Sequence, residues 1–365
     1  MRIGIGALVG TTGGPATYAR ELVAALAAQG AHEYVVFTDD PAAFASAAVR
    51  IVHVPLRSVY GQLLWDHVRL PGLVAESGVA LYHGTKSILP WRLRVPGIVT
   101  VHDLAVYARP ETFALPQRLH FRLAVPASVR RAARVIAVSE HTRRDLERWL
   151  SVAPERVAVI GNGVAEAFHS PVLPERVEEL RRRHGLGGAL VACVGTVQPR
   201  KRVERVIEAF EQADLARRGW QLVIAGRLRP GYRPPWLATR PPGVHWLGTI
   251  ADEEIPALYA ASAIAVHASD YEGFGLSMAE AMASGCAVIA VATSSVPEVA
   301  GDGALLIDRS EVGPLAAALA RLAGDPGACA ALAERGRARG GRYRWSEAAR
   351  RTRAVYDEIL MRRSA

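Results

Sequence analysis

The chain has 365 residues, of which 50% are hydrophobic, and this length can support a buried core in each of two ordinary domains. Its three cysteines are widely spaced and no apolar run reaches the roughly 18 residues of a membrane span, which argues against a disulfide scaffold and an integral membrane protein. The formal charge of +9 comes from 44 basic and 35 acidic residues. Because nearly all the basic residues are arginine, the excess alone identifies no partner.

Short apolar runs alternate with helical patterns along the whole chain, which is typical of parallel sheets covered by helices. The runs that predict strands in the first half are residues 3–8, 34–38, 51–55, 81–83, 98–102, 135–139 and 157–160. Those in the second half are residues 190–194, 221–225, 244–247, 264–268, 288–291 and 304–307. The sequence therefore predicts an α/β protein with two sheets. Because no apolar signal segment precedes the first strand, we expect a cytoplasmic protein.

The two halves are separated between residues 168 and 188 by two prolines, a charged helical pattern and three glycines. We predict an N-terminal domain of residues 1–170 and a C-terminal domain of residues 171–345. The last segment, residues 346–365, is predicted as a terminal helix with Ser346 as its N-cap.

A basic segment in the first half, residues 117–134, contains five arginines and neither Asp nor Glu. The arginines are Arg118, Arg122, Arg130, Arg131 and Arg134. They alternate with apolar residues, and the pattern has two interpretations. One is a surface for anionic lipid or a lipid-phosphate acceptor, peripheral at the inner membrane face. The other, which we favour from the sequence alone, is an ordinary solvated helix face.

Gly13 and Gly14 follow the first predicted strand and precede a helix, at the edge where open parallel sheets bind ligands. A glycine-lined helix start lets a ligand approach the backbone closely, although an ordinary tight turn gives the same pattern. A dinucleotide fingerprint is excluded, because the third glycine of G-x-G-x-x-G would fall at Val9.

Two glutamates, Glu272 and Glu280, stand eight positions apart, with Gly273 and Gly275 directly after the first. If a helix begins at Leu276, its free N–H groups and the positive end of its dipole attract phosphate beside the glycines. The carboxylates on either side can accept hydrogen bonds from the hydroxyls of a sugar and a ribose. This spacing predicts a nucleotide-sugar site, whereas a solvated helix start with Glu280 on its outer face is the alternative.

The segment from Glu272 to Glu280 resembles the E-x7-E signature of the family 4 retaining glycosyltransferases, and the resemblance extends over most of the chain. Further matching segments are Gly13-Gly14, Val101-His102-Asp103-Leu104, Gly161-Asn162-Gly163-Val164, Val194-Gly195, Arg200-Lys201 and Pro297-Glu298-Val299. The resemblance implies a GT-B fold, with two Rossmann-like domains whose parallel sheets face each other across a cleft. The N-terminal domain would bind the acceptor and the C-terminal domain the donor, with transfer that retains the anomeric configuration. Tyr82-His83-Gly84-Thr85-Lys86 is similar to the mannosyltransferase branch.

The resemblance also implies roles for individual residues. Catalytic roles fall to His102, Glu272, Arg200 and Lys201. Asp103 is a candidate for acceptor binding or for orienting His102, and the sequence does not decide between the two. Donor-binding candidates are Gly13, Gly14, Gly195, Gly273, Phe274, Gly275, Leu276 and Glu280, with Arg227 and Ile250 as candidate walls for the base. His102 is expected to contact and position the donor sugar rather than act as a general base.

No metal or other cofactor is predicted. The chain has no D-x-D motif, and its nearest equivalent, Asp270-Tyr271-Glu272, already has Glu272 assigned to the sugar. Arg200 and Lys201 would instead stabilise the negative charge that develops on the leaving diphosphate.

The expected partners are a nucleotide-sugar donor and a glycan, lipid-linked or small-molecule acceptor, with no nucleic acid. A GT-B nucleotide-sugar epimerase is a second interpretation, and it would need no acceptor. A two-lobed sugar-binding protein without catalysis is a third, although it would normally carry an export signal and gives no reason for the Arg200-Lys201 pair.

Overall fold

The computed structural model describes residues 1–8, 13–55, 65–239, 241–309 and 311–364. They form two compact units, one made of Met1–Gly163 and Arg344–Ala365 and the other of Val164–Tyr343. Each unit contains one parallel sheet with helices packed on it, so the prediction of two Rossmann-like domains is confirmed. All thirteen predicted strands overlap strands of the structure.

The sheet of the first unit has seven strands in the order β3-β2-β1-β4-β5-β6-β7, all parallel. They are β1 (Arg2–Ala7), β2 (Glu33–Thr38), β3 (Arg50–His53), β4 (Leu81–Gly84), β5 (Gly97–Val101), β6 (Arg134–Ala137) and β7 (Val157–Val159). The helices are α1 (Gly14–Ala28), α2 (Leu70–Glu76), α3 (Ala105–Ala108), α4 (Leu115–Arg131) and α5 (Glu140–Leu150). Because the strand order reverses on either side of β1, the carboxyl ends of β1 and β4 form the switch point where such sheets bind ligands.

The sheet of the second unit has six parallel strands in the order β10-β9-β8-β11-β12-β13. They are β8 (Ala189–Val194), β9 (Trp220–Ala225), β10 (Val244–Gly248), β11 (Ile264–His267), β12 (Ala287–Val291) and β13 (Ala304–Ile307). The helices are α6 (Pro174–His184), α7 (Val203–Gln212), α8 (Trp236–Thr239), α9 (Ile255–Ala261), α10 (Leu276–Ala283), α11 (Val296–Ala300), α12 (Val312–Gly324) and α13 (Pro326–Gly340). Its switch point lies between β8 and β11.

The last helix, α14 (Trp345–Ser364), belongs to the first unit and packs on α1. It carries Tyr356, which is fully buried and whose hydroxyl lies 2.7 Å from Nδ1 of the equally buried His83. Nε2 of His83 lies 2.7 Å from Oγ1 of Thr100, which lies 2.9 Å from the hydroxyl of Tyr18. These four side chains form a buried polar network that links α14 and α1 to β4 and β5.

The boundary between the units differs from the predicted one. The first division falls after Gly163 rather than after residue 170, because the backbone N–H of Val164 donates to the carbonyl of Tyr343 at 3.1 Å and Phe168 packs against Tyr259. The terminal helix starts at Trp345, one residue before the predicted N-cap Ser346.

No single helix in the described part of the chain has the length and apolar composition of a membrane span. Helices α12 and α13 meet both criteria only when taken together, as a pair bent by 105°.

Candidate functional site

Three glycines end neighbouring strands at the carboxyl edge of the second sheet. Gly195, Gly226 and Gly248 have φ values of +136°, +147° and +68°, which favour glycine. Gly195 N–H donates to Ala225 O at 2.9 Å, and Gly226 N–H donates to Gly248 O at 2.7 Å. A Cβ atom on Gly226 would lie 2.0 Å from the carbonyl oxygen of Gly195. Gly226 is therefore glycine because the backbone of Gly195 fills its Cβ position as well as because of its φ, and the three strands end in backbone without side chains.

The helix α10 begins at the same edge, and the prediction that it starts at Leu276 is confirmed. Its N-cap is Gly275, with a φ of +85°, and no side chain caps the first turn. The first turn contains no acidic residue. The positive end of this helix therefore meets no carboxylate from its own first turn, which suits an anionic ligand.

Glu272 precedes this helix and is paired with two cations. Its Oε1 lies 2.6 Å from Nζ of Lys201 and 3.2 Å from Nη1 of Arg200. All three side chains are largely buried, with between 10% and 17% of their surface exposed. Burial alone would raise the pKa of Glu272, but the charges of Lys201 and Arg200 outweigh it and hold the pKa well below its usual value. Glu272 is therefore ionised at neutral pH, and the trio carries a net positive charge.

The turn Pro199–Lys201 holds the segment of residues 270–272 by backbone as well as side chains. Asp270 N–H donates to Arg200 O at 2.9 Å, and the guanidinium of Arg200 also donates to Tyr271 O. Arg202 lies 2.5 Å from Oδ2 of Asp270. The turn that positions Lys201 therefore also brings Arg202, whose side chain is 47% exposed, to Asp270.

His267 lies inside the predicted strand of residues 264–268, and the sequence predicts no role for it. In the structure it is a further titratable neighbour of Glu272. It is the last residue of β11, and its Nε2 lies 3.5 Å from Oε1 of Glu272. Burial, with the charge of Lys201, lowers its pKa to about 4, so the ring is neutral at pH 7. His267 lies at the carboxyl end of a strand, where open parallel sheets bind ligands, and this position could have identified it from the sequence.

Two serines after β12 fix the backbone of Glu272. The N–H of Glu272 donates to Oγ of Ser294 at 2.7 Å, and Oγ of Ser295 donates to the carbonyl of Glu272 at 3.0 Å. Ser294 has a φ of +50°, a conformation that non-glycine residues adopt rarely. No sequence pattern signals a left-handed serine, so this support was missed.

The other predicted donor residues of the second unit have different surroundings. Glu280 is half-buried, and its charge adds to burial in raising the pKa of Tyr259. The ring of Phe274 is buried edge-on against Tyr343, which leaves only its backbone for a ligand. Arg227 is exposed, while Ile250 is half-buried against an apolar cluster that includes Leu258.

In the first unit, His102 follows β5 and lies under the edge of the Tyr18 ring, with 4.7 Å between centroids. Its Nε2 is 2.7 Å from Thr85 O, and since a carbonyl only accepts, Nε2 carries the proton. Burial lowers its pKa, so the ring is neutral and Nδ1 is left as an acceptor. Asp103 accepts a hydrogen bond from the N–H of Ala105, the first residue of the short helix α3, at 2.9 Å.

Gly13 is the N-cap of α1, and it adopts a φ of +98° with no atom of the described residues within 4 Å of a hypothetical Cβ. Gly14 likewise has open space at that position. The preceding residues 9–12, which belong to the predicted glycine loop, lie outside the described residues. Across the residues that the structure does describe, no cluster of three or more His, Cys, Asp or Glu side chains could hold a metal ion.

Two Rossmann-like units, each built on one parallel sheet, define the class as a GT-B protein, and the charged trio lies in the second of them. Two family models match: "Glycosyl transferases group 1" over residues 176–339 and "Glycosyltransferase Family 4" over residues 12–168. Together they cover most of the chain, which belongs to the family 4 glycosyltransferases and is an enzyme of that class.

Curated relatives include mannosyltransferases. O-antigen chain mannosyltransferase B of Escherichia coli is 27% identical over 289 residues, which are 76% of this chain and 74% of the relative. The MMP alpha-(1->4)-mannosyltransferase of Mycolicibacterium hassiacum is 30% identical over 243 residues, which are 65% of this chain and 56% of the relative. The chain thus resembles the mannosyltransferase-like branch of its family.

Among solved structures, Anabaena HepE in complex with UDP-glucose superposes with a TM-score of 0.79 at 21% identity, covering 98% of this chain and 100% of that one. At this level of identity the match establishes the GT-B fold.

Proposed function

We propose that this enzyme transfers a hexose, with mannose as the first candidate, from a nucleotide-diphosphate sugar to an acceptor with retention of configuration and without a metal ion. The similarity to mannosyltransferases supports the choice of sugar, and the complex of HepE with UDP-glucose supports the donor class. The observation that carries the proposal is the buried trio of Glu272, Lys201 and Arg200 beside the start of α10.

The net positive charge of the trio is complementary to a leaving diphosphate. One carboxylate faces two cations, and His267 is neutral, so the trio has one surplus positive charge. The surplus cation would bind the donor's phosphates, and its effect grows as the bond to the sugar breaks and negative charge accumulates on oxygen. A divalent ion would usually perform this task. Two fixed cations are therefore the basis for proposing metal-independent transfer.

In the proposed reaction the bond between the anomeric carbon and the donor's phosphate oxygen breaks, while the acceptor oxygen bonds to the same face of that carbon. The acceptor's proton passes to the departing phosphate oxygen, so no side chain has to act as a nucleophile. Glu272 and Glu280 would bind hydroxyls of the sugar and the ribose, and His102 would contact the sugar through its unprotonated Nδ1. Asp103 is the proposed acceptor contact.

The proposed acceptor is a glycan, a lipid-linked sugar or a small natural product, and nucleic acid is not a proposed partner. We place the reaction in the cytoplasm. The three cysteines, Cys193, Cys286 and Cys329, are all free thiols, which suits a reducing compartment.

A first experiment measures the melting temperature with GDP, UDP, ADP and dTDP, because a ligand that binds only the folded state stabilises it by about 2.7 kcal/mol at 100 times its Kd. We expect at least one diphosphate to raise the melting temperature. No shift with any of them at millimolar concentration would contradict a donor site.

The nucleotide that binds then selects the donor for transfer assays in EDTA, with the product's anomeric configuration read by NMR. Retention in EDTA supports the full proposal, whereas an inverted product or activity restored only by a divalent ion contradicts it. Conversion of the donor without any acceptor would identify an epimerase instead.

A further inference from the structure

The helix α4 exposes apolar residues where a surface helix normally exposes polar ones. Leu115, Leu119 and Leu123 are 65%, 55% and 74% exposed, and their spacing of four residues places them along one face. The opposite face supplies the buried residues Val125 and Val129. The leucines therefore do not belong to the side of the helix that packs on the core, and burial of the helix does not require them.

This leucine face continues onto the neighbouring segments. Trp91 is 59% exposed, and its ring stacks on His67 at 4.1 Å between centroids. His67 lies 6.5 Å from His120, which sits next to Leu119 on α4. Arg131, at the end of α4, donates to the carbonyl of Trp91 and so ties that loop to the helix. Ten large hydrophobic residues are exposed in the described chain. Three are these leucines, and two more, Trp91 and Val68, lie on the segments that carry the Trp91–His67 stack; we call these five residues the patch.

Arginines surround this patch. Arg122 is exposed and Arg118 half-exposed on α4, and Arg92 and Arg94 are exposed beside Trp91. None of these four is among the arginines that pair with carboxylates in the described part of the chain. Residues 112–134 contain no Asp or Glu at all. An apolar patch with a rim of guanidinium groups is complementary to a surface that is apolar inside and anionic outside.

We propose that this patch docks the protein on an anionic lipid bilayer. The leucines and Trp91 enter the acyl boundary while the arginines contact lipid phosphates, with α4 lying in the plane of the interface. Burial lowers the pKa of His67 to about 4, so its ring is neutral at pH 7 and docking requires no acidification. The inference is independent of the chemistry proposed above, because it depends on no residue of the Glu272 trio.

The test measures binding of the full-length protein to vesicles of phosphatidylcholine alone and with about 30% phosphatidylglycerol, at roughly physiological salt. We expect binding only to the anionic vesicles, weakening as salt increases. The double variant Leu119→Ser/Leu123→Ser should bind about tenfold more weakly or worse. Arg118→Gln and Arg122→Gln should each reduce binding about fivefold.

Matched controls lie on the second unit. Leu173 is also 65% exposed and Arg182 is exposed, so Leu173→Ser and Arg182→Gln change the same chemistry elsewhere. Both should bind as the unaltered protein does, and all variants should keep its melting temperature because the altered side chains are exposed.

The proposal is overturned if the unaltered protein does not bind anionic vesicles, or if the controls lose as much binding as the α4 variants. It is also overturned if sedimentation equilibrium finds a dimer that the leucine variant dissociates while vesicles bind neither protein. That result would assign the patch to a second copy of this chain.

Discussion

At the residue scale, Lys201 and Arg200 support Glu272 unequally. The ammonium of Lys201 lies closer to the carboxylate and forms its short hydrogen bond, whereas the guanidinium of Arg200 also binds the carbonyl of Tyr271. Lys201 can therefore turn toward a phosphate with less rearrangement of the backbone, because its flexible stem ends in a compact charge. This makes Lys201 the sharper probe of the proposed leaving-group role.

Replacing Lys201 by Ala should lower kcat by a factor on the order of 10² while the fold is retained. The lost cation acts mainly on charge that develops in the transition state. Steady-state kinetics with the selected donor and the circular dichroism spectrum are the measurements. Arg205→Ala is the control, since Arg205 forms an exposed pair with Glu208 a few residues away. A kcat for Lys201→Ala as high as that of the control would remove Lys201 from the mechanism.

Glu272 also predicts a pH dependence of stability. Its pKa in the folded protein lies below the ordinary value of 4.5, so its contribution to stability is fully present above that pH and is lost as the pH falls further. Glu272→Gln should therefore be less stable than the unaltered protein at neutral pH, and the difference in unfolding free energy should shrink below about pH 4.5. Urea unfolding across this range measures the difference.

The control for this prediction is Glu208→Gln, which alters an exposed pair and should change stability by less than about 1 kcal/mol at any pH. A stability difference for Glu272→Gln that stays constant from neutral to acidic pH would show that the ion pair is not its source.

The sequence predicted which residues of this site carry charge but not how they pair. Lys201 and Glu272 are 71 residues apart, and they meet because β8 and β11 are neighbours in the sheet. Strand order depends on tertiary packing, which apolar runs do not encode. The left-handed Ser294 likewise accepts a hydrogen bond from the N–H of Glu272, 22 residues away, and a contact over that separation follows no local rule.

At the scale of elements, the glycines that end β8, β9 and β10 have different reasons for being glycine. Gly226 has both a positive φ and a backbone oxygen where a Cβ would be, whereas Gly248 has a positive φ and open space. The sequence identified the strands themselves well, because buried parallel strands are continuous apolar runs. It could not separate a glycine constrained by conformation alone from one constrained by a neighbouring strand.

Gly226→Ala should therefore destabilise the protein by more than about 4 kcal/mol, since the clash is with backbone that cannot yield cheaply. Gly248→Ala should cost only about 1–2 kcal/mol, which is the strain of a left-handed alanine. Thermal and urea unfolding of both variants provide the comparison. Equal losses would mean that the strand ends can separate and that the contact between Gly195 and Gly226 is not rigid.

The polar network of α14 gives a second prediction at this scale. Tyr356→Phe removes the partner of His83 Nδ1 in a site without solvent exposure, and leaving that group unsatisfied should cost about 1–3 kcal/mol. Tyr107→Phe is the control, because the Tyr107 hydroxyl is exposed and its hydrogen bond to the carbonyl of Arg122 is long, at 3.4 Å. Equilibrium unfolding measures both. If the two variants are equally stable, the hydrogen bond from α14 contributes nothing.

At the scale of the whole molecule, the first unit is discontinuous in sequence, because its last helix, α14, follows the whole of the second unit. Alternating apolar and helical patterns predicted the two parallel sheets and the terminal helix. The predicted boundary of the second unit was seven residues late, because the segment after Gly163 has little periodicity of its own and is held by Tyr343 and Tyr259. Contacts between residues so far apart in the sequence cannot be predicted from a local pattern.

This arrangement predicts different fates for the two units when they are expressed separately. Residues 164–343 are continuous, their ends bond to each other through Val164 and Tyr343, and they enclose a complete sheet. They should therefore unfold cooperatively on their own. Residues 1–163 lack α14, so α1 loses its packing partner and His83 loses Tyr356. That fragment should show no cooperative unfolding by circular dichroism.

The isolated fragment 164–343 also separates the proposed phosphate site from the rest of the enzyme. Because the trio of Glu272, Lys201 and Arg200 and the start of α10 all lie within it, the nucleotide diphosphate that stabilises the full chain should also raise the fragment's melting temperature. Lys201→Ala in the fragment should reduce that shift, whereas Arg205→Ala should not. A fragment that unfolds cooperatively but gives no shift would place the phosphate contacts outside the second unit, and the assignment of the trio would then fail.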